Sequence, residues 1–193
     1  MLPLKDNIPT DRLPIVTLLL IAANVLGSFF LQHGGILELL ATVLFLWVFG
    51  ISVEDAMSRL RFAAFAVLGS GAATGLLLLI DPGATVEPVA AASATAAVVG
   101  GYIRLYPRAR VVSATLVPFT VTLIEVPAWG FVGAWFVIQA TFAATALGAP
   151  ATDGAVAFVA QAVAFAFGLL AIRAFAQRRK PTPLPASAIA ARS

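Results

Sequence analysis

Six long, nearly uncharged apolar stretches divide this chain: Leu13–Leu31, Ile36–Ile51, Phe62–Ile80, Val89–Leu105, Ala128–Leu147 and Ala155–Ile172. A helix rises about 1.5 Å per residue, so it needs roughly 17–25 apolar residues to cross a hydrocarbon core. Five of the stretches meet that length, and Ile36–Ile51 meets it if extended by a turn at either end. Hydrophobic residues make up 61% of the chain and charged ones only 11%. A soluble domain carries about a quarter charged residues, so the solvent for most of this surface must be lipid. These features predict an all-α polytopic membrane protein with six transmembrane helices. A further run, Val111–Ile124, contains Pro118 and is too short to span. It reads as an interfacial or re-entrant segment between the fourth and fifth spans.

The charges orient such a bundle. Lys5 and Arg12 precede the first span, and Arg59 and Arg61 lie between the second and third. Arg104, Arg108 and Arg110 close the fourth, while Arg173, Arg178, Arg179, Lys180 and Arg192 end or follow the sixth. All 12 Lys and Arg residues thus fall on one side of a six-span arrangement. The opposite loops hold His33, Asp81, Glu87 and Asp153, and no Lys or Arg. The positive-inside rule makes the basic side cytoplasmic and puts both termini there. A pI near 10.0 could suggest nucleic acid, but the basic residues form no single patch and topology accounts for them.

Three regions follow: a cytoplasmic leader at 1–12, a membrane domain at 13–176, and a basic, Pro/Ala-rich tail at 177–193 that is expected to be disordered. The leader lacks the apolar core and small-residue cleavage site of a signal peptide, so it reads as part of a retained signal anchor. No internal repeat is evident. With no cysteine and one histidine, thiolate chemistry and any ordinary zinc site are excluded, and no cofactor is expected.

Several motifs in order carry a resemblance. The chain opens Pro3-Leu4-Lys5-Asp6-Asn7-Ile8-Pro9-Thr10 and then Pro14-Ile15-Val16-Thr17. His33-Gly34-Gly35 leads to Phe45-Leu46-Trp47-Val48-Phe49-Gly50, Val53-Glu54-Asp55 and Arg59-Leu60-Arg61-Phe62. Gly100-Gly101-Tyr102 precedes Tyr106-Pro107-Arg108-Ala109-Arg110. Glu125-Val126-Pro127-Ala128, Trp135-Phe136 and Phe165-Ala166-Phe167-Gly168 complete the set. Together they resemble the rhomboid family of intramembrane serine proteases, in its short bacterial six-helix type, over about residues 3–180. The resemblance implies a multi-pass protein of a bacterial cytoplasmic membrane, with the lipid bilayer and transmembrane segments of other proteins as its partners.

The resemblance also implies where catalytic groups would stand. Rhomboids open their fourth helix with Gly-x-Ser-Gly, whose serine is the nucleophile. Counted back without gaps from Gly100-Gly101-Tyr102, that element falls on Ala90-Ala91-Ala92-Ser93 and puts Ala92 at the nucleophile position, beside Ser93. The family's base is a histidine in the sixth helix; Gln161 occupies that position, and a carboxamide cannot accept a proton near neutral pH. The oxyanion-stabilising histidine and asparagine of the second helix are replaced by Glu38 and Thr42. An ionised Glu38 would repel an oxyanion.

Ser93 could act through a one-residue shift, but it would still need a base. His33 matches the family's His-Gly-Gly turn, and Lys5 and Lys180 belong to the opposite side of the membrane. Ser93 fits better as a small contact residue: Ser93, Ala97 and Gly101 recur every four residues on the fourth span, as Ala160, Ala164 and Gly168 do on the sixth. Such rows let helix backbones approach closely in lipid. Glu38, inside a span, is either functional, or solvated near the helix end, or protonated against Gln161 or Ser93. Asp81 and Asp153 read as loop residues, so an aspartyl pair is not expected. Only Gln32–Gly35 separate the first two spans, where the family usually has a long first loop.

Two functions remain at this stage. One is a proteolytically inactive rhomboid-like protein that binds transmembrane helices. The other is an active intramembrane serine endopeptidase using displaced residues, Ser93 first. A small transporter or channel component would need polar residues spread along several spans, and few are present beyond Asn24, Glu38, Thr42 and Gln161.

Overall fold

The computed structural model describes residues 2–6, 8, 13–31, 36–80, 82–83, 86–117, 120–146 and 153–177. The apolar stretches of the sequence become helices: α1 (Ile15–Leu31), α2 (Ile36–Phe45), α3 (Ile51–Asp55), α4 (Arg59–Ile80), α5 (Glu87–Leu105), α6 (Ala128–Ala146) and α7 (Asp153–Phe175). A π-helical turn, Leu46–Gly50, joins α2 to α3, so these pieces run on as one rod and six helical segments result. Such turns occur mostly as single insertions inside longer helices. Local chemistry sets the breaks. The Ser58 hydroxyl accepts from Arg61 N at the start of α4, Pro88 lies in the first turn of α5, and Pro107 follows its last residues.

The surface differs from that of a water-soluble protein. Leu60, Leu79 and Leu170 are each more than 80% exposed, whereas Thr17, Glu54, Ser93 and Gln161 are buried. Large apolar side chains on the outside, with these polar ones held inside, suit a hydrocarbon solvent. Among the described residues, Arg59–Ile80 and Phe158–Phe175 are by themselves long and apolar enough to cross a membrane; Ile15–Phe30, Val89–Leu105 and Ala128–Thr141 are apolar but shorter.

One part departs from the all-α expectation. Leu2–Asp6 (β1), Arg110–Val117 (β2) and Thr120–Pro127 (β3) form an antiparallel sheet in the order β1-β2-β3. Val111–Ile124 is therefore a hairpin rather than a re-entrant segment, with Val117 paired to Thr120 across a two-residue connection. Its valines and threonines favour extended backbone, and Pro118 blocks a helix through the run. Nor is the leader free. Asp6 pairs with Val111 and Leu2 with Ala114, with a register shift between Pro3 and Lys5. Pro3 has no N–H to give a ladder and so suits this edge strand. Behind the sheet, Ile8 and Val111 join the main core with Phe49, Phe62, Phe65 and Tyr102. The Phe49 and Tyr102 rings meet edge to face at 4.8 Å.

Candidate functional site

α5 is clasped between α4 and α7, and glycines make the fit. A Cβ at Gly168 would collide with the carbonyl oxygen of Ala97, and one at Gly100 with the carbonyl oxygen of Phe165. On the other side, a Cβ at Gly69 of α4 would collide with that of Ala97. Opposite Gly101, the same atom would lie 3.0 Å from Ile172 Cδ1 and 3.1 Å from Phe65 Cζ. Since Ala97 faces Gly168 and Gly101 faces Ile172, α5 and α7 run parallel in this seam. The two small-residue rows of the sequence thus meet, and Ala97, Ala160 and Ala164 share one buried cluster.

Polar side chains punctuate the seam. Ser93 lies one turn before Ala97 and is fully buried, while its neighbour Ala92 is only half-buried. Successive residues turn a helix by about 100°, so the two side chains face different surroundings. Among the described residues Ser93 Oγ has no hydrogen-bond partner. On α7, one turn before Ala164 and Phe165, Gln161 is 7% exposed. Its Oε1 accepts from Gln139 Nε2 of α6 at 3.1 Å. α4 adds a tie at the same element, where Ser70 Oγ donates to the Ala90 carbonyl at 2.9 Å. Four helices therefore bring two hydroxyls and two carboxamides into an apolar bundle. None of these groups can take a proton from a serine near neutral pH.

A family model for the rhomboid domain matches residues 19–178. The chain belongs to the rhomboid family. No curated protein and no solved structure matches it. The matched span begins inside α1 and ends just past α7, so it includes the clasped α5 and both small-residue rows of this rhomboid.

The remaining sequence candidates are dispersed or outside the described residues. Thr42 is half-buried on α2, with no hydrogen bond among the described residues to Ser93 or Gln161. His33, Asp81 and the tail from 178 onward lie outside the described residues, as do the side chains of Glu38, Glu87 and Asp153. Asp153 itself begins α7 rather than sitting in a loop. Among the described residues, no three His, Asp or Glu side chains gather where a metal ion could bind.

Sequence reasoning overlooked two residues. Gln139 is a lone amide in an apolar span; that oddity was the available signal, and only folding reveals its partner. Glu54 was seen merely as part of a motif. At Gly50 a Cβ would lie 2.9 Å from Thr17 Cγ2, so α1 passes close to the π turn. One turn later the Glu54 carboxylate, 4% exposed, meets the first turn of α1. It accepts from Val16 N at 3.0 Å, Thr17 N at 2.7 Å and Thr17 Oγ1 at 2.8 Å. A carboxylate here satisfies N–H groups that a helix start leaves unpaired and complements its dipole.

Proposed function

We propose that this rhomboid-family membrane protein has lost proteolysis and uses its bundle to bind transmembrane helices. It would cross a bacterial cytoplasmic membrane six times with both termini in the cytoplasm, as the one-sided basic residues suggest. One observation carries the reading. Among the described residues, Gln161 is the polar side chain that α7 buries in the bundle, an amide already engaged by Gln139, and the Ser93 hydroxyl has no hydrogen-bond partner. A serine hydroxyl attacks an amide carbonyl only when a base removes its proton, and nucleophile and base must be within hydrogen-bond reach. Without that pair, a helix entering the bundle can be held but not cut. The close backbone packing that rhomboids use to align a catalytic pair would here serve to keep the bundle shape.

The second reading, an active serine endopeptidase, draws support from Ser93 itself, because a hydroxyl rather than a methyl occupies the fully buried position on α5. A fluorophosphonate probe for activated serines separates the two. On the detergent-solubilised protein, no labelling is expected. Labelling that Ser93→Ala abolishes would establish the endopeptidase reading and end the pseudoprotease one. Photo-crosslinking from a reporter at the half-buried Gln139 should trap single-span membrane proteins intact.

A further inference from the structure

The end of the bundle where α4 begins and α5 and α7 finish is crowded with arginine. The three helices meet there around Gly101, whose neighbours are Ile172 of α7 and Phe65 of α4. Arg61 lies one turn before Phe65, Arg104 one turn beyond Gly101, and Arg173 directly after Ile172. Each helix thus contributes one arginine within about a turn of this contact, and all three residues are exposed.

Anions are scarce at this end. Among the described residues Glu54 and Asp55 are buried, and Glu54 is occupied by the start of α1. Glu125 pairs with Arg110 at 3.5 Å. No acidic group pairs with Arg61, Arg104 or Arg173 among the described residues. The framework is tied down nevertheless. Gln177 N donates to the Ala56 carbonyl at 3.1 Å, which fastens the end of α7 to the turn before α4. With its amide oxygen turned toward the guanidinium, Gln177 accepts from Arg61 Nη2 at 3.0 Å.

Apolar surface comes right up to these charges: Leu60 beside Arg61 is 81% exposed, and Leu170 one turn before Arg173 is 83% exposed. A soluble anion would have no use for those leucines. A phospholipid fits both features, with its acyl chains along the leucines and its phosphate among guanidinium forks that hold oxygens in pairs and never lose their charge. We propose that Arg61, Arg104 and Arg173 form a headgroup site for an anionic phospholipid at the end of the α4–α5–α7 junction.

Native mass spectrometry of the full chain, released from detergent with equal amounts of phosphatidylglycerol and phosphatidylcholine, tests this. The protein should keep phosphatidylglycerol at least about tenfold over phosphatidylcholine, as expected for three basic residues at an anionic surface. Replacing Arg61, Arg104 and Arg173 together by Gln should remove that preference, and replacing them by Lys should restore part of it. Arg104→Gln alone should lower retention about threefold, a readout that stands if the triple variant does not fold. Equal retention of the two lipids, or an undiminished preference in a folded triple Gln variant, would overturn the site. Displacement of the lipid by an equal concentration of inorganic phosphate would overturn the lipid assignment in favour of a soluble anion.

Discussion

Glu54 takes both hydrogen bonds that Thr17 can give, from its backbone N–H at 2.7 Å and its hydroxyl at 2.8 Å. Residues 37 apart are thereby fixed across the interface of α1 with the second helical rod. Both groups are buried, so neither has water as an alternative partner. Glu54→Leu should destabilise the protein by about 2–4 kcal/mol, since it strands donors at the start of α1. Thr17→Val removes only the hydroxyl and should cost about 1 kcal/mol. Thermal unfolding in detergent measures both, and an unchanged midpoint for Glu54→Leu would remove this contact from the account of stability.

The α5–α7 seam predicts a contrast between glycines. Gly168→Ala puts a methyl against the Ala97 carbonyl and should cost about 1–3 kcal/mol. Gly133→Ala on α6 meets nothing within 4 Å and should be neutral or stabilising by up to about 1 kcal/mol. Equal effects at the two sites would mean that the seam is not tightly closed.

The amide pair predicts non-additivity. Gln139→Leu leaves the buried Gln161 without its donor, and Gln161→Leu leaves Gln139 without its acceptor. Interhelical hydrogen bonds in membranes average about 0.6 kcal/mol, so each single change should cost about that much beyond packing. The double change should cost less than the sum of the two. A strictly additive double-mutant cycle would show that the pair contributes nothing as a pair.

Chemistry can be asked of the seam directly. Gln161→His supplies a base on α7 one turn before Ala164, the residue that the seam's register sets level with Ser93. Fluorophosphonate labelling should rise in that variant and vanish when Ser93→Ala is added. If Ala92→Ser with Gln161→His is labelled while Gln161→His alone is not, the nucleophile position belongs to Ala92.

The Arg110–Glu125 ion pair makes a negative prediction. The two side chains are 62% and 30% exposed, so solvent screens the contact. Glu125→Gln should shift stability by no more than about 0.5 kcal/mol, and raising the salt concentration should leave even that difference smaller.

Much of the bundle was legible because apolar length acts over one segment at a time. The same holds for the small rows at Ser93, Ala97 and Gly101 and at Ala160, Ala164 and Gly168, which meet as their spacing implied. The sheet was hidden for a different reason. A short apolar run such as Val111–Ile124 fits a helix or a strand by hydrophobicity alone, and its partner Leu2–Asp6 looked like a charged leader. Gln139 and Glu54 were visible as residues, but their meaning depends on Gln161 and Thr17, which no local pattern links to them. At Ser93 the spacing located the neighbourhood, whereas the facing of a side chain became plain only from burial.

The pairing of β1 with β2 also sets a timetable. Leu2 leaves the ribosome before Ala114 and can meet it only once about 110 further residues have been made. The local β2–β3 hairpin can close quickly, whereas β1 must wait through the insertion of α1 to α5. Translation therefore ends the wait of the first strand only after the clasped helix α5 is in place. A chain stalled before residue 110 would carry an unpaired strand edge, and that would mark it as unfinished.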